Sequence, residues 1–265
     1  MRKIHVVTLL PDAVSGFLEW GVVGKAIKHN IFSVNMVTPR DFADDVHRTV
    51  DDRPYGGGDG MILMTEPLVK AIDSIGDQAG TRVYLSPHGE RWSDTLAREF
   101  AKDLERSPLT LICGRYGGID QRFINTKVDR TISVGDYVLS GGEIAALTVI
   151  DSIARFLPGV LGNEQSKVTD SFANGLLEAP QFTRPPEILG QEVPSVLRSG
   201  DHRRIDQFRE ALSMAMSREC RPDLRVENHD RQWQMSREFL RSVSRDELRV
   251  CGLSAQILDE IYGDA

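Results

Sequence analysis

Thiols are scarce in this chain. Three cysteines, Cys113, Cys220 and Cys251, are spread over 265 residues. An odd, widely spaced set supports neither a disulfide framework nor a zinc site and fits a reducing compartment, the cytoplasm. Long apolar runs are missing too: nothing approaches the roughly 18–20 consecutive apolar residues that a membrane-spanning helix needs. The opening Met1-Arg2-Lys3-Ile4-His5-Val6-Val7-Thr8 passes from two positive charges straight into a strand-like segment, without the apolar region and cleavage site of a signal peptide. The signatures G-x-G-x-x-G, G-x-x-x-x-G-K-[ST], H-E-x-x-H and G-x-S-x-G are all absent, which leaves dinucleotide enzymes, P-loop enzymes, zincins and α/β-hydrolases without support. The six histidines lack metal-ligand spacing, so no metal residues are expected.

Lysine is also rare, 7 against 25 arginines, and the net charge is −7. A negative total opposes nucleic acid as a partner, but the distribution of charge matters more than the sum. From residue 201 to 265 there are 11 arginines, no lysines and 13 acidic residues. Guanidinium forks suit phosphate and base edges; a chain-wide arginine bias would give the same count.

What is present is an ordinary globular composition, 40% hydrophobic and 27% charged. Residues 4–10, 32–38, 82–85, 109–113 and 128–134 read as short buried strands, apolar and β-branched between Pro or Gly. Helical spacing marks residues 22–29, 66–75, 94–104 (with Ser93 as N-cap) and the strongly apolar 142–157, ended by Pro158-Gly159. Strands alternating with helices imply an α/β fold with a mostly parallel sheet. Residues 159–186 are polar and aperiodic and read as a linker that orders on binding a partner. Beyond residue 191 the pattern is helical, over 201–218, 231–243 and 244–262, giving a small all-α second domain. The expected division is 1–160, a linker 161–186, and 187–265.

Three glycine-dense loops stand where a strand ends or a helix begins: Arg53-Pro54-Tyr55-Gly56-Gly57-Gly58-Asp59-Gly60, Cys113-Gly114-Arg115-Tyr116-Gly117-Gly118-Ile119-Asp120, and Ser133-Val134-Gly135-Asp136-Tyr137-Val138-Leu139-Ser140-Gly141-Gly142-Glu143. Any one of them alone is most simply a tight turn. Three in one domain, with Leu85-Ser86-Pro87 leaving another strand, suggest a pocket for a flat polar molecule such as adenosine, because ligands of α/β sheets settle beyond the carboxyl ends of the strands.

These loops, with Asp170-Ser171-Phe172, Gly175-Leu176-Leu177, Thr183-Arg184-Pro185 and the stretches 151–162 and 193–202, resemble the bacterial tRNA (guanine-N1)-methyltransferases of the TrmD type, in the knotted SPOUT superfamily. The matches keep the family's order and near-family spacing from residue 1 to about 210. The resemblance implies a deep trefoil knot in residues 1–160, which binds S-adenosylmethionine through Leu85, Pro87, Gly114, Val134, Gly135, Asp136, Tyr137, Val138, Leu139, Gly141 and Gly142. It implies methyl transfer to N1 of the guanine immediately 3′ of the tRNA anticodon. Asp170 matches the general base and Arg155 the cation that supports charge on guanine O6. Taken without the resemblance, Asp170 could cap a helix and Arg155 could complement a helix dipole. A solvated aspartate is a weak base for such a proton, so either burial must strengthen it or a fixed cation must make the proton more acidic.

Tyr116, Ser171, Glu178, Gln181, Arg203 and Arg204 are the implied substrate contacts, with Arg209 a further phosphate candidate. The family is also associated with Mg²⁺ and is homodimeric, with each active site shared between subunits. The chain departs from the family pattern at Gly117, where Glu is usual, at Glu178 for Asp, and at Gln181 for His. Other readings are a knotted enzyme acting on ribose 2′-hydroxyls, and a non-catalytic tRNA- or adenosine-binding protein.

Overall fold

The computed structural model describes residues 2–58, 60–162, 170–224 and 226–263. Residues 163–169 of the expected linker and Asp59 of the first glycine loop lie outside it. The chain divides into two compact units, Met1–Gly162 and Asn163–Ala265.

The first unit is built on a five-stranded sheet in which every pairing is parallel. Its strands are β1 (Arg2–Val7), β2 (Phe32–Val37), β5 (Thr81–Arg91), β6 (Leu109–Cys113) and β7 (Arg130–Ser133), in the order β2-β1-β6-β5-β7. Parallel strands covered on both faces are apolar at successive positions, and β6, Leu-Thr-Leu-Ile-Cys, is buried throughout. The two-residue period sorts its side chains. Ile4, Val6, Val83, Leu85, Leu109, Leu111 and Cys113 pack in one cluster with α4 (Asp94–Asp103) and α6 (Glu143–Ala154). Val7, Tyr84 and Ile112 pack in another with α3 (Thr65–Ile75) and α5 (Gln121–Lys127). Ser93 caps α4 by accepting from the Leu96 amide.

The sequence pattern did not announce α1 (Pro11–Leu18), α5 or the small ribbon of β3 (Asp51–Asp52) with β4 (Ile62–Leu63). The first two are short, and their apolar periodicity barely exceeds one turn; α2 (Gly21–Lys28) falls where expected.

β5 is longer than residues 82–85 because it resumes after an interruption. Leu85 and Glu90 both pair with Ile132, so residues 86–89 loop out of the ladder. Pro87 has no amide to donate, and Gly89 lies so close to β7 that an added Cβ would stand 2.4 Å from the Ile132 nitrogen. This bulge aims Ser86, Pro87 and His88 at the site described below.

The second unit has its own core, formed by α7 (Ser195–Arg198), α8 (His202–Cys220), α9 (His229–Leu240), α10 (Arg245–Val250) and α11 (Ala255–Tyr262), with a small ribbon of β8 (Glu187–Ile188) and β9 (Gln191–Glu192). Two helices replace the single one expected over 244–262. Gly252 has φ +89° and ends α10, and Ser254 caps α11 by accepting from the Ile257 amide. Residues 170–182, read from sequence as linker, are seated on α8. The Leu177 amide donates to Ser217 Oγ at 2.7 Å, and Ala179, Leu176 and Phe182 join the helical core.

Candidate active site

The carboxyl ends of β5, β6 and β7 open into a cleft of about 440 Å³. Its floor is apolar, with Leu85, Ile132 and Ala145 buried or nearly so. Its walls are the 86–88 bulge, residues 114–119 and residues 133–141. Backbone hydrogen bonds fix the loops. The Gly142 amide donates to the Gly114 carbonyl at 2.9 Å, the Gly117 amide to Met61 at 2.8 Å, and the Leu63 amide to Gly118 at 3.0 Å. Tyr116 and Gly118 both have positive φ, +56° and +113°. A glycine at 118 adopts that conformation without a Cβ penalty.

Of the eleven positions expected to hold the cofactor, Leu85, Pro87, Gly114, Val134, Gly135, Tyr137, Val138, Leu139 and Gly141 line this cleft, as does the expected substrate contact Tyr116. Asp136 and Gly142 do not. Asp136 is exposed. Gly142 is buried behind the wall, where a Cβ would meet the Cys113 Cα at 2.7 Å.

A buried ionic network lies behind the same wall, and sequence reasoning did not single it out. Glu143, the first residue of α6, is 6% exposed. Its Oε1 accepts from Thr8 Oγ1 at 2.8 Å and its Oε2 from Arg115 Nη1 at 3.2 Å. The signal was a carboxylate heading an otherwise apolar helix, where the N-terminal dipole favours it. Burial, and then the neighbouring Glu143 charge, push the Cys113 thiol well above its usual range. Burial also raises Tyr84, against hydrogen bonds from Ser86 and the Ile119 backbone.

The remaining expected residues divide between the units. Arg155 is exposed at the C-terminal end of α6 in the first. Asp170 is half-buried in the second and starts a tight turn, its carbonyl accepting from the Ala173 amide at 3.1 Å. Ser171, Glu178 and Gln181 are brought together beside it. Ser171 Oγ accepts from the Glu178 amide at 2.9 Å, and Gln181 Nε2 donates to Glu178 Oε1 at 2.7 Å. Phe172 has φ +73°, is 40% exposed, and lies 5.7 Å from the Arg221 guanidinium. Arg203 and Arg204 open α8, exposed and without an ion pair to any described residue. Arg209 pairs loosely with Asp206 at 3.9 Å. No helix among the described residues is long and apolar enough to cross a membrane.

The family described as tRNA (Guanine-1)-methyltransferase TrmD matches residues 2–227. Curated relatives named tRNA (guanine-N(1)-)-methyltransferase include one from Actinobacillus succinogenes, 49% identical over 224 residues that make up 83% of this chain and 90% of the relative. Another, from Sodalis glossinidius, is 48% identical over 225 residues, 83% of this chain and 88% of the relative. A third, from Salmonella newport, is 47% identical over 224 residues, 83% and 87%. A match spanning β1 to the end of α8 carries both the cleft and the Asp170 turn, and on that ground the chain belongs to the tRNA (guanine-1)-methyltransferase family TrmD and is a methyltransferase.

Proposed function

We propose that this protein transfers a methyl group from S-adenosylmethionine to N1 of the guanine immediately 3′ of a tRNA anticodon. The observation that carries the reading is the cleft at the ends of β5, β6 and β7, where nine of the eleven expected cofactor positions meet. Its glycine backbone and apolar floor fit an adenosine held by main-chain groups, and its volume suits a ligand of that size. When bound there, S-adenosylmethionine supplies an electrophilic methyl carbon. The Gly142–Gly114 hydrogen bond and the bridge between Arg115 and Gly141 hold the 134–142 loop against residues 114–115, a contact consistent with the trefoil knot that the family implies for this unit.

In this reading Asp170 takes the proton from guanine N1 as that nitrogen attacks, and Arg155 holds the negative charge that develops on O6. Ser171, Glu178 and Gln181 are pre-organised around the Asp170 turn to receive the base. Arg203 and Arg204 hold backbone phosphates. Residues 1–160 then form the cofactor domain, 161–186 the segment that bears the base, and 187–265 the tRNA-binding domain. Leu10, Phe17, Trp20 and Val22 are 42–75% exposed on and around α1 and α2, an apolar face that supports a homodimer; the enzyme would work in the cytoplasm.

Mg²⁺ is a different matter. Among the described residues no three His, Cys, Asp or Glu side chains gather into a metal site. Both oxygens of Glu143 are taken, and Gly117 offers no carboxylate. The described residues do not form a cage for the ion.

The test is a methyl-transfer assay on unmodified tRNA, with a tRNA lacking the guanine 3′ of the anticodon as control. Asp170→Ala should slow turnover by about 100-fold or more while S-adenosylmethionine binding stays intact. Full turnover by that variant, or methylation of a ribose hydroxyl, would remove the assignment.

A further inference from the structure

The second unit contains a cavity that the reaction just described does not use. It has a volume of about 490 Å³ and lies between the 174–176 turn, the middle of α8 and the face of α9 that carries Gln232, Met235, Ser236 and Phe239. Two kinds of chemistry meet in it. Leu176, Ala211, Met214, Val226 and Phe239 give an apolar surface, while Asn174, Gln207, Gln232, Ser213 and Ser236 supply amides and hydroxyls. Several of these polar groups are already engaged: Ser213 donates to the Leu177 carbonyl, and Gln232 donates to the Glu227 carbonyl at 3.0 Å. Asn174, Gln207 and Ser236 form no side-chain hydrogen bond with any described residue. Glu210 is the one charged residue on the wall among the described residues, and the amides and hydroxyls around it suit a flat, neutral molecule with donor and acceptor edges.

We propose that this cavity receives an unstacked nucleobase of the RNA substrate, which rests on the proposed tRNA reading. Unpaired bases are recognised by stacking on apolar or aromatic surface and by hydrogen bonds to their edges; Phe239 and the exposed Met235 of the same wall offer the first, and Asn174, Gln207 and Ser236 the second. Arg203 is four residues before Gln207 on α8 and therefore lies one turn along the same face. Exposed and without an ion pair to any described residue, it stands where the phosphate of the bound nucleotide would run. The cavity also reports to the reaction centre. Asn174 and Leu176 belong to the turn that Asp170 opens, and the Leu176 carbonyl accepts from the Phe172 amide at 2.7 Å. A base in the cavity thus braces the segment carrying the general base.

The test is the affinity of the full-length protein for an anticodon stem-loop RNA, measured by fluorescence anisotropy over a range of salt. The variants are Asn174→Ala with Gln207→Ala, Ser236→Trp to fill the cavity from its rim, and Arg203→Ala. The double variant should bind about tenfold more weakly, from two hydrogen bonds of roughly 0.7 kcal/mol each, with an unchanged salt slope. Arg203→Ala should lower the slope by about one unit. S-adenosylmethionine affinity should not change in any of them. RNA affinity within twofold of wild type in the double variant, or a loss that tracks the salt slope, would overturn the proposal, whatever Ser236→Trp does to folding. The two readings fail separately. Wild type that binds RNA through the cavity but leaves guanine N1 unmethylated would sink the catalytic assignment alone, whereas full methylation with unaltered affinity in the variants would sink the cavity alone.

Discussion

Glu143 Oε1 accepts the Thr8 hydroxyl at 2.8 Å, joining the end of β1 to the start of α6, while its other oxygen holds Arg115 on the cleft wall. One carboxylate thus ties together three segments that are remote in sequence. Removing it with Glu143→Ala leaves a guanidinium and a buried hydroxyl without their partner, and should cost about 3 kcal/mol of stability. Glu143→Gln keeps the shape and should cost less. Thermal unfolding, paired with titration of S-adenosylmethionine, checks this. Unchanged melting and binding in Glu143→Ala would show the network to be incidental.

Gly142 tests the packing of the same wall. A methyl group there would stand 2.7 Å from the Cys113 Cα and 3.1 Å from the Gly114 nitrogen, both backbone atoms that cannot rotate aside. Gly142→Ala should destabilise the first unit by about 1–3 kcal/mol and weaken cofactor binding. Gly162→Ala, where nothing among the described residues lies within 4 Å, is the control and should do neither.

Gly117 stands where the family resemblance implies a glutamate. A Cβ at 117 would be 3.0 Å from the Met61 carbonyl oxygen, so the side chain fits if that loop gives by a few tenths of an ångström. Gly117→Glu is expected to raise the methylation rate or alter its dependence on Mg²⁺, read from steady-state assays over a metal titration. Identical behaviour in both measurements would mean that the carboxylate is dispensable here.

Glu247 ties the helical unit together through pH. Burial works to raise its pKa, but hydrogen bonds from Ser195 and Ser244 outweigh it and bring the group down to about 2, from an ordinary 4.5. The carboxylate accepts from the Ser195 amide at 2.6 Å and from Ser244 Oγ at 2.8 Å, completing a capping box on α10. A depressed folded-state pKa stabilises the fold above the unfolded value, and that stability is lost as pH falls from about 4.5 toward about 2. Glu247→Gln should therefore melt earlier than wild type at pH 7, and the gap should narrow at pH 3. An equal gap at both values would rule out the linkage.

The three thiols should respond very differently to a thiol reagent. Cys113 and Cys251 are 2% and 3% exposed, and burial raises both, Cys251 to about 12. Cys220 is exposed. Native protein should react rapidly at Cys220 alone and at all three only after denaturation; rapid labelling of Cys113 in the native state would contradict the packing behind the cleft.

The sequence alone determined the five parallel strands and most of the helices, because buried strands need unbroken β-branched and apolar runs and amphipathic helices need a 3.6-residue stripe. It also marked the glycine loops, since close backbone approach restricts the residue type whatever the fold. The short α1 and α5 escaped it because one or two turns leave too little periodicity. The break within 244–262 depended on the positive φ of Gly252, which a periodic pattern does not register.

Only the tertiary structure decided which loop residues share a wall. Asp136 and Gly142 sit in the same glycine-rich run as Gly135 and Gly141, yet neither lines the cleft: Asp136 is exposed and Gly142 is packed against Cys113. Thr8, Arg115 and Glu143 are separated by more than a hundred residues along the chain at the widest, and no local pattern links them. Their meeting is a consequence of strand order, which places the ends of β1 and β6 side by side, because pairing in a sheet is chosen by packing of whole faces and not by neighbours in sequence.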